Sequence, residues 1–399
     1  MISYNEAFHL TLEYIQALDT EEVPLLSAVD RVSAINLTGQ VETPSLNVSL
    51  KDGYAVHSAD ITEARKNNPI HLHLVGTVAA GDHWRKEFQL SEAVRILSGA
   101  PIPEGADAVV AEEFTQRDGD TVVVTNDAHP GRNILLKGSD VSRGELLVRK
   151  GARLAPPTVG LLAAAGYQTI SVVRQPKVAI LATGDEVVAP GKKLQPGKLY
   201  ASNLVTLAAW CVRYGYAVET FVVGDDADLI RNQLVSCLQN HDVVLTSGGA
   251  WSGERDLVVR LLDKLGWHKV YHRVRIGPGK AVAFGRWENK PVFCLPGGPP
   301  SNHMAFLQLA LPGLQKLAGE QDVGLPVQKM RLAQSLTGQE DWTQCVYGRI
   351  EEDSELPLFY PLNQPSRLQM MAAADSIVMV PEGQALISQG QIVEGLVLR

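Results

Sequence analysis

Residues 242–256, DVVLTSGGAWSGERD, decide the fold. The apolar run 243–245 empties into a glycine-rich turn, and helix-forming sequence follows directly. Strand, turn and helix in that order leave backbone N–H groups unpaired at a helix start, where the helix dipole favours a phosphate or another oxyanion. Glycine lets such a ligand approach the backbone closely. The same residues also suit a plain turn at the end of a parallel strand, so the flanking sequence has to arbitrate.

Outward from this stretch, strand and helix patterns alternate, the signature of a parallel sheet covered by helices. Strands are expected at 177–181, 217–223, 242–246 and 291–295, and helices at about 202–215, 227–239, 255–265 and 301–318. Ser202, Asp226 and Ser301 are the cap-type residues that open three of those helices. Ligands of such sheets bind beyond the carboxyl ends of the strands. Three of those ends carry chemistry here: Thr183-Gly184-Asp185-Glu186, the turn from Ser247 to Gly253, and Pro296-Gly297-Gly298-Pro299-Pro300-Ser301. Their convergence says more than any one loop.

Elsewhere the texture differs. Residues 3–18 have the apolar spacing of a helix. Between 43 and 140, short β-type runs at 71–78, 93–97, 108–111 and 121–125 are broken by Gly, Pro and Asp. PPTVGLLAAAGY then reads as a short helix, and beyond about 325 the runs 344–350, 376–380 and 391–398 suit a small closing β-barrel. A chain of 399 residues with 45% apolar content supports more than one core.

Composition excludes several classes. A net charge of −8 without any basic run argues against nucleic acid or an anionic membrane as partner. The N-terminus lacks a basic start with an apolar core, and no segment reaches the ~18 apolar residues of a membrane span, so a cytoplasmic protein is expected. Cys211, Cys237, Cys294 and Cys345 form no CxxC pair and lie in apolar segments, as small buried thiols do. His71 and His73 share one strand face with no further ligand pattern, which suits a surface pair better than a metal site. No serine or cysteine nucleophile with a histidine partner is evident, nor a Walker lysine after the glycine loop, so hydrolase and kinase readings have little support.

The motifs SLKDGYAV (49–56), RILSGAPIPEGADAVVAEE (95–113), KGSDVSRGELL (137–147), LATGDEV (181–187), VVGDD (222–226), TSGGAWSGERD (246–256), GPGKAVAFG (277–285) and LPGGPPS (295–301) stand in a specific order. In that order they resemble the MoeA proteins and the E domain of gephyrin, molybdopterin molybdenumtransferases of late molybdenum-cofactor synthesis. The resemblance implies an α/β plus β multidomain chain. Its parts would be an elongated region (1–42 with 141–173), an inserted β-rich domain (43–140), a three-layer α/β molybdopterin-binding domain (174–322) and a C-terminal β-barrel (323–399). It also implies a homodimer with its site between subunits. In the family, adenylylated molybdopterin is cleaved with AMP release and molybdate enters the dithiolene, with Mg²⁺ as the expected cation; a molybdopterin adenylyltransferase is a candidate partner, and whether a dedicated partner delivers the substrate stays open.

By the same resemblance Glu186, Asp256, Asp52 and Asp140 are the catalytic carboxylates, and Asp185, Glu186 and Asp256 hold the cation. Glu186 and Asp256 could instead cap the turns beside them. Pterin contacts fall to Ser98, Thr183, Gly184, Asp226, Ser247, Gly248, Gly249, Trp251, Ser252 and Gly253. Ser98 stands where the family has threonine, and the hydroxyl survives that change. Lys280, Ser301, Arg349 and Ser366 match oxyanion-binding positions.

The anion loops depart from the family pattern. KPGKP appears as Gly277-Pro278-Gly279-Lys280-Ala281, GGVSxG as Gly248-Gly249-Ala250-Trp251-Ser252-Gly253, and PGNPVS as Pro296-Gly297-Gly298-Pro299-Pro300-Ser301. One lysine and one side-chain amide are missing. Losing a charge-assisted contact costs roughly 1.5–3 kcal/mol. Weak capture would suit a molybdopterin-binding carrier or scaffold, whereas relocated charge would preserve a transferase, selective for molybdate or tuned to tungstate. Arg275, two residues before Gly277, could face the same way if that segment is extended. Lys51 beside Asp52 is a second candidate cation, or a solvated surface lysine. Trp251 could stack on a pterin or adenine ring, or simply fill space.

Overall fold

The computed structural model describes residues 1–82, 84–249, 257–353 and 355–398. The chain forms two compact units, Met1–Glu21 with Val172–Arg399, and Glu22–Ser171.

The first unit is built on a six-stranded sheet of β1 (Lys177–Thr183), β2 (Ala217–Val223), β3 (Val243–Ser247), β4 (His268–His272), β5 (Ala283–Trp287) and β6 (Lys290–Leu295), in the order β2-β1-β3-β6-β5-β4. Strands β2, β1, β3 and β6 are parallel. β5 runs antiparallel to both neighbours, so the sheet is not wholly parallel as the sequence pattern suggests. β4 and β5 escape that pattern for a physical reason: β4, HKVYH, is a short polar edge strand with one buried residue, and such a strand has little apolar periodicity to detect.

Every residue of β1 after Lys177 is buried, but its side chains alternate between two cores. Val178, Ile180 and Ala182 join Leu207 and Phe306 on one face, while Ala179 and Leu181 join Ile230, Leu234 and Leu262 on the other. That alternation, inevitable in a strand, makes the three layers. The covering helices are α1 (Ser202–Arg213), α2 (Ala227–Asn240), α3 (Leu257–Lys264) and α4 (Pro299–Ala305). Asp226 caps α2 as expected, whereas Ala201 and Gly298 occupy the cap positions of α1 and α4, which places Ser202 and Ser301 inside their helices. Beyond α4 the helix widens into a π turn at Phe306–Ala310 before continuing as Leu311–Leu317. Pro312 has no N–H for the Gln308 carbonyl four residues back, which accounts for a loosened ladder there.

The C-terminal strands close on themselves. Thr343–Glu351, Leu358–Pro361, Val327–Leu332, Ile392–Val397 and Ser376–Val380 pair in sequence, and the last returns to the first, giving a five-stranded barrel. Two further segments extend this sheet: Val274–Gly277 pairs with the barrel strand at Gly277↔Gln344, and Ile2–Ser3 pairs with it at Ile2↔Val274. The N-terminal helix, Tyr4–Glu13, is shorter than its apolar stripe, because Leu18 leaves it to donate to the Leu317 carbonyl.

The second unit holds a six-stranded mixed sheet in the order Ala108–Ala111, Gly53–Val56, Glu92–Ile96, Ile70–Val78, Thr121–Val124, Thr115–Asp118. His71 and His73 are both exposed on its Ile70–Val78 strand. All four cysteines are buried free thiols.

Candidate functional site

β1, β3 and β6 end side by side, and Thr183 and Ser247 at the ends of β1 and β3, with Gly248 and Gly297 just beyond, border a cavity of about 570 Å³. Its other walls include Leu199, Tyr200, Ser202, Asn203 and Pro299. Glycine is required at this rim. Gly248 (φ 98°) and Gly249 (φ 65°) are both left-handed, and a Cβ on Gly248 would stand 2.9 Å from the Thr183 carbonyl oxygen. The anion-loop reading of that turn concerns residues of which Ala250, Trp251, Ser252, Gly253 and Asp256 lie outside the described set.

Two asparagines fix the rim. Asn302, buried, donates to Ser247 Oγ (3.1 Å) and to the Pro296 carbonyl (2.9 Å). Asn203 donates to the same Ser247 Oγ (3.3 Å) and to the Gly297 carbonyl (2.8 Å). Ser247 thus accepts twice, which leaves its hydroxyl proton to be donated. Neither asparagine stands out in the sequence as a site residue, since Asn203 is the second and Asn302 the fourth residue of an ordinary helix.

Glu186 lines this cavity and also an adjoining one of about 630 Å³, with Asp185, Lys198 and Asp225. The Glu186 carboxylate folds across Gly184 (φ 140°), where a Cβ would stand 2.7 Å from Oε2. Asp185 Oδ1 accepts from the Asp225 amide (3.0 Å) and Asp225 Oδ2 from the Asp185 amide (3.3 Å), so the loops after β1 and β2 brace each other. Lys198 Nζ donates to the Asp185 carbonyl at 2.6 Å. Asp226 is engaged in capping, accepting from the Asp228 and Leu229 amides at 3.0 and 2.9 Å.

Of the expected oxyanion residues, Arg275 is paired with Glu382 (Nη2–Oε1 2.8 Å). Lys280 Nζ lies 4.8 Å from the centre of the Trp342 ring. A side chain at Gly277 would meet Gln344 Oε1, 2.9 Å from its Cβ, so the glutamine fills the space that glycine vacates. Gly279 (φ 131°) lies against the Ser301 carbonyl, 3.6 Å from where a Cβ would stand. Arg349 and Ser366 hold the two ends of one helix, Arg367–Ala373: Arg349 Nε donates to the Ala373 carbonyl (3.2 Å), and Ser366 Oγ accepts from the Gln369 amide (3.3 Å). That helix places Arg367 and Leu368 in the wall of the 570 Å³ cavity. Arg367 had no sequence signal beyond following Ser366.

Protein-family models match residues 2–166 to the MoeA N-terminal region (domain I and II), 179–316 to a probable molybdopterin binding domain, and 329–398 to the MoeA C-terminal region (domain IV). The chain belongs to the MoeA family. It is 33% identical to molybdopterin molybdenumtransferase of Haemophilus influenzae, over 80% of this chain and 78% of that one. It is 30% identical to molybdopterin molybdenumtransferase 2 of Mycobacterium tuberculosis over 98% of both. Among solved structures it resembles a molybdopterin biosynthesis MoeA protein from Pyrococcus horikoshii OT3, with a TM-score of 0.85, 28% identity and full coverage of both chains. The α/β sheet, the β-rich sheet and the closed barrel are therefore the MoeA architecture. Among the described residues no helix is long and apolar enough to cross a membrane.

The remaining expected residues belong to the second unit. Asp52 Oδ1 accepts from the Ser98 amide at 2.7 Å, which brings these two expected residues together. Lys51 is exposed beside them. Asp140 is exposed too, with its amide donating to the Thr43 carbonyl at 2.9 Å.

Proposed function

We propose that this chain is a molybdopterin molybdenumtransferase that cleaves adenylylated molybdopterin, releases AMP and inserts molybdate, with tungstate as a competing oxyanion. The observation that carries the reading is the 570 Å³ cavity between the glycine-rimmed ends of β1, β3 and β6, because it meets a second, carboxylate-lined cavity at Glu186. A pterin nucleotide has the same division: a flat heterocycle needing amide and hydroxyl partners, and a phosphoanhydride needing charge control. Asn203, Ser202 and Ser247 supply the first set of partners.

Mg²⁺ fits the second. Among the described residues no three His, Cys, Asp or Glu side chains converge on a metal position, but a phosphate-bridged Mg²⁺ keeps water and needs only one or two protein carboxylates. Asp185 and Glu186 would hold it, and Asp256 is a further candidate outside the described residues. Bound there, the ion would neutralise charge on the phosphoanhydride. Glu186, exposed and without a side-chain partner among the described residues, would also orient the attacking water. Lys280, with Ser301 nearby, holds the tetrahedral oxyanion while Trp342 steadies the ammonium group. A second copy of the chain supplies Asp52, Ser98 and Asp140, a molybdopterin adenylyltransferase delivers the substrate, and the protein works in the cytoplasm.

The test is incubation with adenylylated molybdopterin, Mg²⁺ and molybdate, following AMP and pterin-bound metal. Both products should form, and Glu186→Gln should lower kcat about 10²-fold or more, the usual range for a general acid–base group. Tight pterin binding without either product refutes the reading.

A further inference from the structure

Two charged side chains line the 570 Å³ cavity, Glu186 from the loop after β1 and Arg367 from the helix Arg367–Ala373. They form no ion pair with each other, and the exposed Arg367 side chain has no hydrogen-bond or ion-pair partner among the described residues. Its helix is anchored at both ends, by Ser366 and by Arg349, so the guanidinium is carried on a fixed support. An uncommitted guanidinium in a cavity wall matches phosphate geometry, since it offers a planar fork of donors that are always charged.

The geometry points to Arg367 as a phosphate-binding, specificity-determining residue: it grips the phosphoryl group next to the heterocycle of the pterin nucleotide, which meets Asn203 and Ser247 in the same cavity, while the rest of the phosphoanhydride reaches the carboxylate-lined cavity. This rests on the reading of the cavity as the pterin-nucleotide site. It gives the C-terminal region a direct part in substrate recognition, through a side chain that joins no other described group. Arg349 and Ser366 act as positioning residues by fixing the helix that presents it.

Calorimetric titration of the full chain tests this with inorganic pyrophosphate, AMP and unphosphorylated 6-hydroxymethylpterin, on the native chain, Arg367→Lys and Arg367→Gln. Arg367→Gln should weaken pyrophosphate and AMP roughly tenfold, the loss of one charge-assisted contact. Arg367→Lys should fall between, keeping the charge but not the fork. Affinity for 6-hydroxymethylpterin and the thermal midpoint should hold, because Arg367 supports no other described side chain. Equal phosphate binding by native chain and Arg367→Gln overturns the assignment, as does a parallel loss for 6-hydroxymethylpterin, which would mean ring stacking. A native chain that binds none of the three probes overturns the reading of the cavity itself.

Discussion

At the scale of single residues, the altered anion loop is a matched pair rather than a plain deletion. Gly277 lacks a side chain, and Gln344, its partner in the parallel ladder, occupies the space beside it. Restoring the family's lysine alone, Gly277→Lys, should therefore displace the flexible end of the half-buried Gln344 at a cost of about 1 kcal/mol or less. Adding Gln344→Gly should recover most of that loss. Urea unfolding of the two variants checks this, and additive effects would show that the residues do not share space. The glycine itself was plain in the sequence. What fills its place could not be, because Gln344 lies 67 positions away and becomes a neighbour only through the pairing of Val274–Gly277 with the barrel. Arg275 teaches the same lesson in reverse: its chemistry suited a relocated charge, but the fold brings Glu382 to within 2.8 Å.

At the scale of elements, α1, α4 and the barrel strand Thr343–Glu351 meet through three rings. Trp210 Nε1 donates to His303 Nε2 at 2.9 Å, and His303 Nδ1 lies 2.9 Å from the Tyr347 hydroxyl. An indole can only donate, so Nε2 must be the bare nitrogen and Nδ1 carries the proton. Burial pushes His303 down to about 4, below its usual value of about 6.5. Its folded state takes up a proton less readily than the unfolded chain, so this contribution is complete above about pH 6.5 and fades as pH falls toward 4. Between pH 7.5 and 5 the loss is about 2 kcal/mol. His303→Phe should be less stable at pH 7.5, with Trp210 and Tyr347 unpaired, yet should lose less on acidification. Denaturant unfolding at both pH values decides, and an unchanged pH slope would clear His303 of the effect. None of this was legible in the sequence, where helix and strand periods mark buried positions but not which polar atoms meet. The strand–helix alternation was legible, because β1, β3 and β6 are continuous apolar runs that only a doubly covered sheet accommodates.

At the scale of the whole molecule, the discontinuous first unit needs a fastening where the chain re-enters it. Arg174 provides one, donating twice to Asp242 (2.7 and 2.9 Å) and once to Asp19 (2.8 Å). Burial works against the Asp242 carboxylate, but hydrogen bonds from Arg174 and the Lys177 amide outweigh it and hold the group below the usual carboxylate range. That stability is present at neutral pH and is lost as pH falls through the lowered value. Arg174→Met should cost roughly 1–3 kcal/mol at pH 7 by leaving Asp242 half-buried without its partner. Thermal unfolding at pH 7 and pH 3 checks the sign, since the difference between variant and native chain should shrink in acid. The motif order along the sequence reports the family and the sheets, but not this clip, whose members are single common residues spread from 19 to 242. The short strand Ile2–Ser3 has a consequence for biosynthesis. Ile2 pairs with Val274, and that ladder continues into strands that end at Val397. Glu22–Ser171 is one unbroken stretch and can acquire its structure while the ribosome is still translating, whereas Ile2–Ser3 stays unpaired until Val274–Arg275, more than 270 residues later, has emerged.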